Sequence, residues 1–170
     1  MKKAKFTLLS LTSLAILLFS CNGKDDIATQ TKIDSLSKEI QILSDNQKQI
    51  EANKKLVADF YQELFGDKDI NVLDKYIGDI YIQHNPSVAD GKEALRQALT
   101  QWFKGAPKLK IDIQHLSAEG NLVYIHTKSV RGATTVSVID IFKIENGKIV
   151  EHWDVVQEVP EKSANSHPMF

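Results

Sequence analysis

The spacing of hydrophobic and polar residues changes along the chain, and each spacing predicts a different element. From Val136 to Gln157 (VSVIDIFKIENGKIVEHWDVVQ) β-branched and aromatic residues surround Asn146 and Gly147. Asn-Gly between apolar runs predicts a β-hairpin, because both residues tolerate the positive φ of a tight reversal. Two more strands are expected at Leu109 to Leu116 and Leu122 to Val130, punctuated by Glu119-Gly120-Asn121 and Arg131-Gly132. Earlier in the chain the spacing is helical. Leu56, Val57, Phe60, Tyr61, Leu64 and Phe65 predict a helix over Lys55 to Phe65 that Gly66 stops. A short helix follows from Val72 to about Tyr76, and Tyr81 to Pro86 is held extended by its proline. Asp90 and Glu93 form an approximate capping box for a helix that carries Ala94, Leu95, Ala98, Leu99, Trp102 and Phe103 on one face. Helices first and antiparallel strands afterwards make an α+β domain.

The hairpin loop sets the register. A loop of Asn146 and Gly147 alone pairs Ile144 with Ile149, opposes Asp140 to Trp153, and puts Asp154 on the other face beside Ile139. A three-residue loop with a glycine bulge pairs Ile144 with Lys148 and opposes Asp140 to His152. Val138, Asp140, Phe142, Val150, His152 and Asp154 then point one way. The second register is preferred, because it gathers the ionisable groups and leaves Ile139, Ile141, Trp153 and Val155 for another packing surface. An unpaired carboxylate in such strands is costly to bury, so Asp140 and Asp154 need partners or a function.

Near the N-terminus, Lys2, Lys3 and Lys5 precede an apolar run from Phe6 to Phe19 that is short for a membrane span. Residues 1–20 are expected to be a leader. Leu18-Phe19-Ser20-Cys21 resembles a bacterial lipobox, whose cysteine is lipidated; an ordinary cleaved signal peptide and an uncleaved anchor are the alternatives. Cys21 is the only cysteine, so it has no disulfide partner within the chain. Acyl chains contribute about 0.8 kcal/mol per buried methylene, so several together hold a protein at a membrane. Lys24, Asp25 and Asp26 resemble a short surface-export tag, or form a solvated linker. An exported, membrane-anchored lipoprotein is expected, with the outer membrane or cell surface as one location open to it.

Residues 21–52 are polar, with Ile33, Leu36, Ile40, Leu43, Gln47 and Ile50 at coiled-coil spacing. Barely three heptads make either a helical spacer or a weak parallel dimeriser. The remaining 53–170 suffice for one domain, and a net charge of −1 with 42% hydrophobic residues gives no sign of a nucleic-acid partner. No CxxC, HExxH or glycine-rich phosphate loop is present in the sequence, so neither a metal nor a cofactor is expected.

The segment DIFKIENGKIVEHWDVVQ resembles the C-terminal hairpin of SnoaL-like proteins, the polyketide cyclase branch of the nuclear transport factor 2-like superfamily. YIQHNP at Tyr81 to Pro86 with Gly91, Ala164-Asn165 and Met169-Phe170 match as well, and Lys143 stands where arginine is usual. The resemblance implies a cone: a strongly curved antiparallel sheet wrapped around the helices and enclosing an apolar pocket. It also implies that Asp154 is the general acid/base, and burial of a carboxyl on an apolar strand face agrees, since it favours an acid that accepts and returns protons near neutrality. His84 and Asn85 would enter the pocket and meet a substrate carbonyl, although Asn85 also suits a turn.

Asp140 and His126 form a second candidate pair, because folding back across Arg131-Gly132 brings His126 opposite Val138 to Asp140; a satisfied buried polar pair is the alternative. Tyr61, Tyr81, Trp102, Phe142 and His152 are candidate lining residues, with core packing as the alternative for the aromatics and a rim position for His152. Trp153 is expected to pack on the far face, at a dimer interface in the homodimer that is anticipated. The C-terminal tail is expected to dock over the pocket mouth or on a partner subunit. The functional expectation is a cofactor-independent acid/base enzyme acting on a small carbonyl-containing or hydrophobic molecule, with a non-catalytic ligand-binding lipoprotein as the alternative.

Overall fold

The computed structural model describes residues 23–170, so the expected leader and Cys21 lie outside the described residues. The helix α1 spans Gly23–Tyr61. The chain divides into two compact units, one ending at Ser44 and the other running Asp45–Phe170. In the first, the seam residues Ile33, Leu36, Ile40 and Leu43 are all exposed. Among the described residues no helix is long and apolar enough to cross a membrane.

The second unit is α+β. Its five strands are β1 (Ile77–Gln83), β2 (Asp112–Glu119), β3 (Leu122–Arg131), β4 (Thr134–Glu145) and β5 (Lys148–Glu158), in the order β1-β5-β4-β3-β2. All neighbours are antiparallel except β1, which runs parallel to β5. Register shifts interrupt three of the four pairings, and such bulges bend and twist a sheet. The short helix α2 (Leu73–Tyr76) leads into β1, and α3 (Lys92–Trp102) follows it. The sheet is curved, with the last turns of α1, from Asn53 to Tyr61, packed on one face.

That inner face makes the core. Val57, Phe60, Tyr61 and Leu64 meet Val123, Ile125, Phe142, Ile144 and Ile149, with Leu73, Leu95 and Leu99 closing the side. Phe60 and Phe142 meet edge to face at 5.7 Å, the geometry aromatic quadrupoles favour. Each fully buried large apolar side chain contributes about 1.5–3 kcal/mol relative to exposure, so this face holds the domain together.

Two local expectations are corrected. Asp90 does not cap α3; its Oδ1 instead accepts the backbone N–H of Gln83 at 2.8 Å, and Gly91, at φ 91°, occupies the cap position. Gly91 N–H also donates to Tyr81 O at 2.9 Å, so this loop clamps the end of β1. The helix α1 does not run to Phe65 as regular α-helix; it passes into a π-helical turn, Gln62–Gly66.

This turn is tied to the edge of the sheet. Gln62 Nε2 donates to Leu109 O at 3.2 Å, its Oε1 accepts from Ile111 N–H at 3.0 Å, and Leu109 N–H donates to Gly66 O at 3.0 Å. A Cβ on Gly66 would sit 2.8 Å from Leu109 O and against the Gln62 side chain. Gly66→Ala is therefore expected to lower stability by about 1–3 kcal/mol, as overpacking does. Equilibrium urea unfolding checks this, and an unchanged midpoint would mean that the strap shifts freely.

Candidate active site

The hairpin turn is the two-residue Asn146-Gly147 loop, with Asn146 at φ 51° and Gly147 at φ 72°. Beside it Glu145 pairs with Lys148 and Ile144 with Ile149, which is the first of the two registers considered. The register then shifts: Lys143 pairs with Glu151, Phe142 with His152 and Asp140 with Asp154. Val150 is the extra residue on β5. The preferred three-residue loop is thus incorrect, yet the bulge restores its main consequence, since Asp140, Phe142, His152 and Asp154 share the inner face. Val150 does not join them; it packs beside Gly78 on the other face.

These side chains form one hydrogen-bonded network. Asp140, 4% exposed, accepts from Tyr61 OH at 2.6 Å on Oδ2 and lies 2.8 Å from His152 Nε2 through Oδ1. The other ring nitrogen, His152 Nδ1, is 2.8 Å from Gln83 Oε1. Gln83 Oε1 also accepts the Asn85 backbone N–H at 2.9 Å, and Gln83 Nε2 donates to Tyr81 OH at 3.1 Å. Asn85 Nδ2 donates to Asp154 Oδ2 at 2.6 Å. Asp140, His152, Tyr61 and Tyr81 are buried, whereas Asp154, Asn85 and Gln83 are half-buried. Among the described residues no buried side-chain polar atom lacks a partner.

Burial, followed by the charge of Asp140, holds the Tyr61 phenol well above its ordinary value, so it stays a donor. Burial and then Asp140 push the Tyr81 phenol up in the same way. Asp140, His152 and Asp154 also have donor atoms within 4.8 Å of one another. A cation held by them would take the place of the proton between Asp140 Oδ1 and His152 Nε2.

The sequence residues divide by strand parity. Tyr61, Tyr81, Asn85, Phe142, His152, Asp140 and Asp154 come together. His126 does not pair with Asp140: it lies across from Ile139, while Asp140 lies across from Ile125, so the two side chains point to opposite faces. His84 is also on the outer face, stacked on Trp153 at 4.7 Å with Nε2 2.9 Å from Glu151 Oε1. Trp102 is 53% exposed at the end of α3, outside the core. Gln83, which joins the two halves of the network, was missed. Its signal was the alternation Tyr81, Gln83, Asn85, which puts His84 on the opposite side.

Beside Asp140 the inner face carries Tyr61, Tyr81 and Phe142, all buried. Two surface clefts, of about 400 Å³ next to Phe103 and about 340 Å³ next to Val150, include none of the network residues.

The family model for SnoaL-like polyketide cyclases matches residues 55–162, and the chain belongs to that family. A search of curated proteins finds no match. Among solved structures, TsrD from Streptomyces laurentii is similar at 25% identity and a TM-score of 0.51, over 62% of this chain and 88% of that one. An epoxide hydrolase of M. tuberculosis described as LEH-like shares the fold at 17% identity and TM-score 0.52, over 64% and 85% of the two chains. A putative ketosteroid isomerase from Kribbella flavida does so at 12% identity and TM-score 0.55, over 68% and 85%. These likenesses show a shared fold.

His126 has a different setting from the one expected. Its Nδ1 is 3.0 Å from His115 Nδ1, its Nε2 is 2.7 Å from Ser137 Oγ, and Phe170 stacks on it at 5.8 Å. The aromatic end of the tail therefore lies on the chain's own β3, with Lys128 Nζ over its ring, and not across the inner-face site. Burial first, and His115 second, hold the His126 imidazole below its ordinary value. A depressed histidine contributes stability that is fully present above the unfolded value and is lost as pH falls through the folded one. Relative to His126→Gln, the wild-type chain should thus lose thermal stability as pH drops from about 7.5 to about 5. A difference in melting temperature that stays constant with pH would refute this.

Proposed function

We propose that the protein is a cofactor-independent acid/base enzyme acting on a small carbonyl-containing or hydrophobic molecule, with Asp154 as the group that exchanges protons. The observation that carries this reading is the position of Asp154, a half-buried acid hydrogen-bonded by Asn85 and placed against a buried Tyr61–Asp140–His152 relay. In an aldol-type closure Asp154 takes the proton α to one carbonyl. The electron pair left behind forms the new C–C bond to a second carbonyl carbon, and Asp154 returns the proton to the resulting alkoxide oxygen. The same two operations serve an isomerase, and a base that activates water serves a hydrolase. Asn85 orients the carboxylate. Tyr61 and His152 are fully engaged with Asp140 and set the field behind it.

A second reading, a ligand-binding protein without turnover, draws support from the aromatic side chains packed around Asp140 and from the clefts lying elsewhere. The two readings separate at one residue. In a screen of small carbonyl compounds Asp154→Asn should keep the wild-type melting temperature and lose roughly 10²-fold or more in turnover, the usual weight of a general acid/base. An unchanged rate would remove Asp154 from the mechanism.

We further propose that the chain is exported and anchored through lipidated Cys21, with residues 27–51 as a helical spacer and the apolar stripe of Ile33, Leu36, Ile40 and Leu43 shared with a second copy. Cys21→Ser should shift the protein from the membrane fraction to the soluble fraction on ultracentrifugation. Full retention in membranes would argue for an uncleaved anchor instead.

A further inference from the structure

Both ring nitrogens of His152 face side-chain oxygens: the amide oxygen of Gln83, which can only accept, and a carboxyl oxygen of Asp140, which accepts when that group is ionised. Nε2 faces Asp140 Oδ1 at 2.8 Å, and Nδ1 faces Gln83 Oε1 at 2.8 Å. The amide of Gln83 cannot be turned around, because its Oε1 accepts the Asn85 backbone N–H at 2.9 Å and a reversed amide would set two donors against each other. The backbone of Gln83 is itself fixed, through the Asp90 carboxylate on its N–H. A neutral imidazole has one N–H and cannot donate in both directions.

We propose that Gln83 is a positioning residue that keeps His152 doubly protonated, so that the Asp140–His152 pair rests as an imidazolium and a carboxylate. Two observations independent of the ring's hydrogen bonds support it. The ring of His152 stacks on Phe142 with centroids 4.8 Å apart, and an aromatic face attracts a cation at that range. Asp140 and Asp154 are directly opposed across the β4–β5 ladder, where two like charges repel unless a positive charge lies with them. The ionisable groups facing His152 are Tyr61 from α1, Tyr81 from β1, Asp140 from β4 and Asp154 from β5. Both phenols stay protonated, the guanidinium of Arg131 acts on the Tyr61 phenol from the end of β3, and the two carboxylates favour an imidazolium.

The functional consequence rests on the reading of Asp154 as the exchanging acid. With the pair neutral overall, Asp154 is free to rest as a carboxylate and begin the cycle as a base. Gln83 thereby fixes the starting protonation of a residue it does not touch.

The test is the ¹⁵N spectrum of ring-labelled histidine in the full-length chain, treated with chelator and held at about pH 7.5, near where an ordinary histidine is mostly neutral. His152→Gln supplies the assignment. Two protonated ring nitrogens are expected in the wild type, one in Gln83→Leu and two again in Gln83→Glu, which restores an acceptor. A single N–H on His152 in the wild type overturns the proposal, as does retention of both in a folded Gln83→Leu. A metal ion bound one-to-one before chelation and lost in His152→Gln would also overturn it, since the metal would then take the place of the Nε2 proton. Because the readout is a proton count, its failure leaves the turnover test of Asp154 standing.

Discussion

Burial of Asp140 in the middle of an apolar sheet is the constraint on which the inner face depends. A carboxylate with 4% exposure is tolerated only when its lone pairs are met by donors, and here they are met from two directions. The phenol of Tyr61 reaches it from the end of α1, and the imidazole of His152 reaches it from β5. Each contact fixes a distance between elements that hydrophobic packing alone would leave adjustable. The hydrogen bond from Tyr61 seats the helix over β4, and that from His152 locks the β4–β5 register just beyond the bulge. Thr127, 1% exposed, adds a longer contact to Tyr61 at 3.5 Å from β3. A polar centre thus specifies how the apolar layers meet.

The elements were legible because they rest on local patterns. Asn146-Gly147 had to turn, Gly66 had to follow the end of a helix, and the YIQHNP segment had to be extended near its proline. The family, too, could be read from the EHWD segment and its neighbours. Register was harder, because a bulge is one residue with no strong composition of its own. Ile149 and Asp154 are five apart, and an uninterrupted strand puts such residues on opposite faces; only an extra residue lets both reach the inside. Val150 is an ordinary strand residue and gave no sign that it would be that residue. The expectation of a bulge at the turn was right about the shared face of Asp140, Phe142, His152 and Asp154, and wrong about Val150 and about where the bulge lies.

His84 and His126 show a different limit. Both are histidines next to residues that do enter the site, and chemistry-bearing side chains attract attention for their chemistry. Parity decides otherwise. Val123, Ile125 and Thr127 are the buried series of β3, which leaves His126 outside, and Tyr81, Gln83 and Asn85 are the inward series after β1 begins, which leaves His84 outside. In β3 the run LVYIHT is apolar on both sides of the strand, so alternation could not be seen in it. The outer side of the sheet is then not featureless: His84 lies on Trp153, and His126 holds Phe170.

The division between buried and half-buried members of the network also separates what each residue can reveal. Removing either partner of the Asp140–His152 pair leaves a polar or charged group buried without its mate, which costs folding free energy whatever the pair does in catalysis. A loss of activity in such a variant therefore confounds structure with mechanism. Asp154 is half-buried and held by an asparagine that also has solvent within reach, so its amide isostere alters the proton chemistry with little demand on the fold. Gln83 lies between these extremes, because it touches the imidazole that sets the charge and the backbone that positions Asn85. Chemistry can be assigned from the rim of this network inward, and stability from its centre outward.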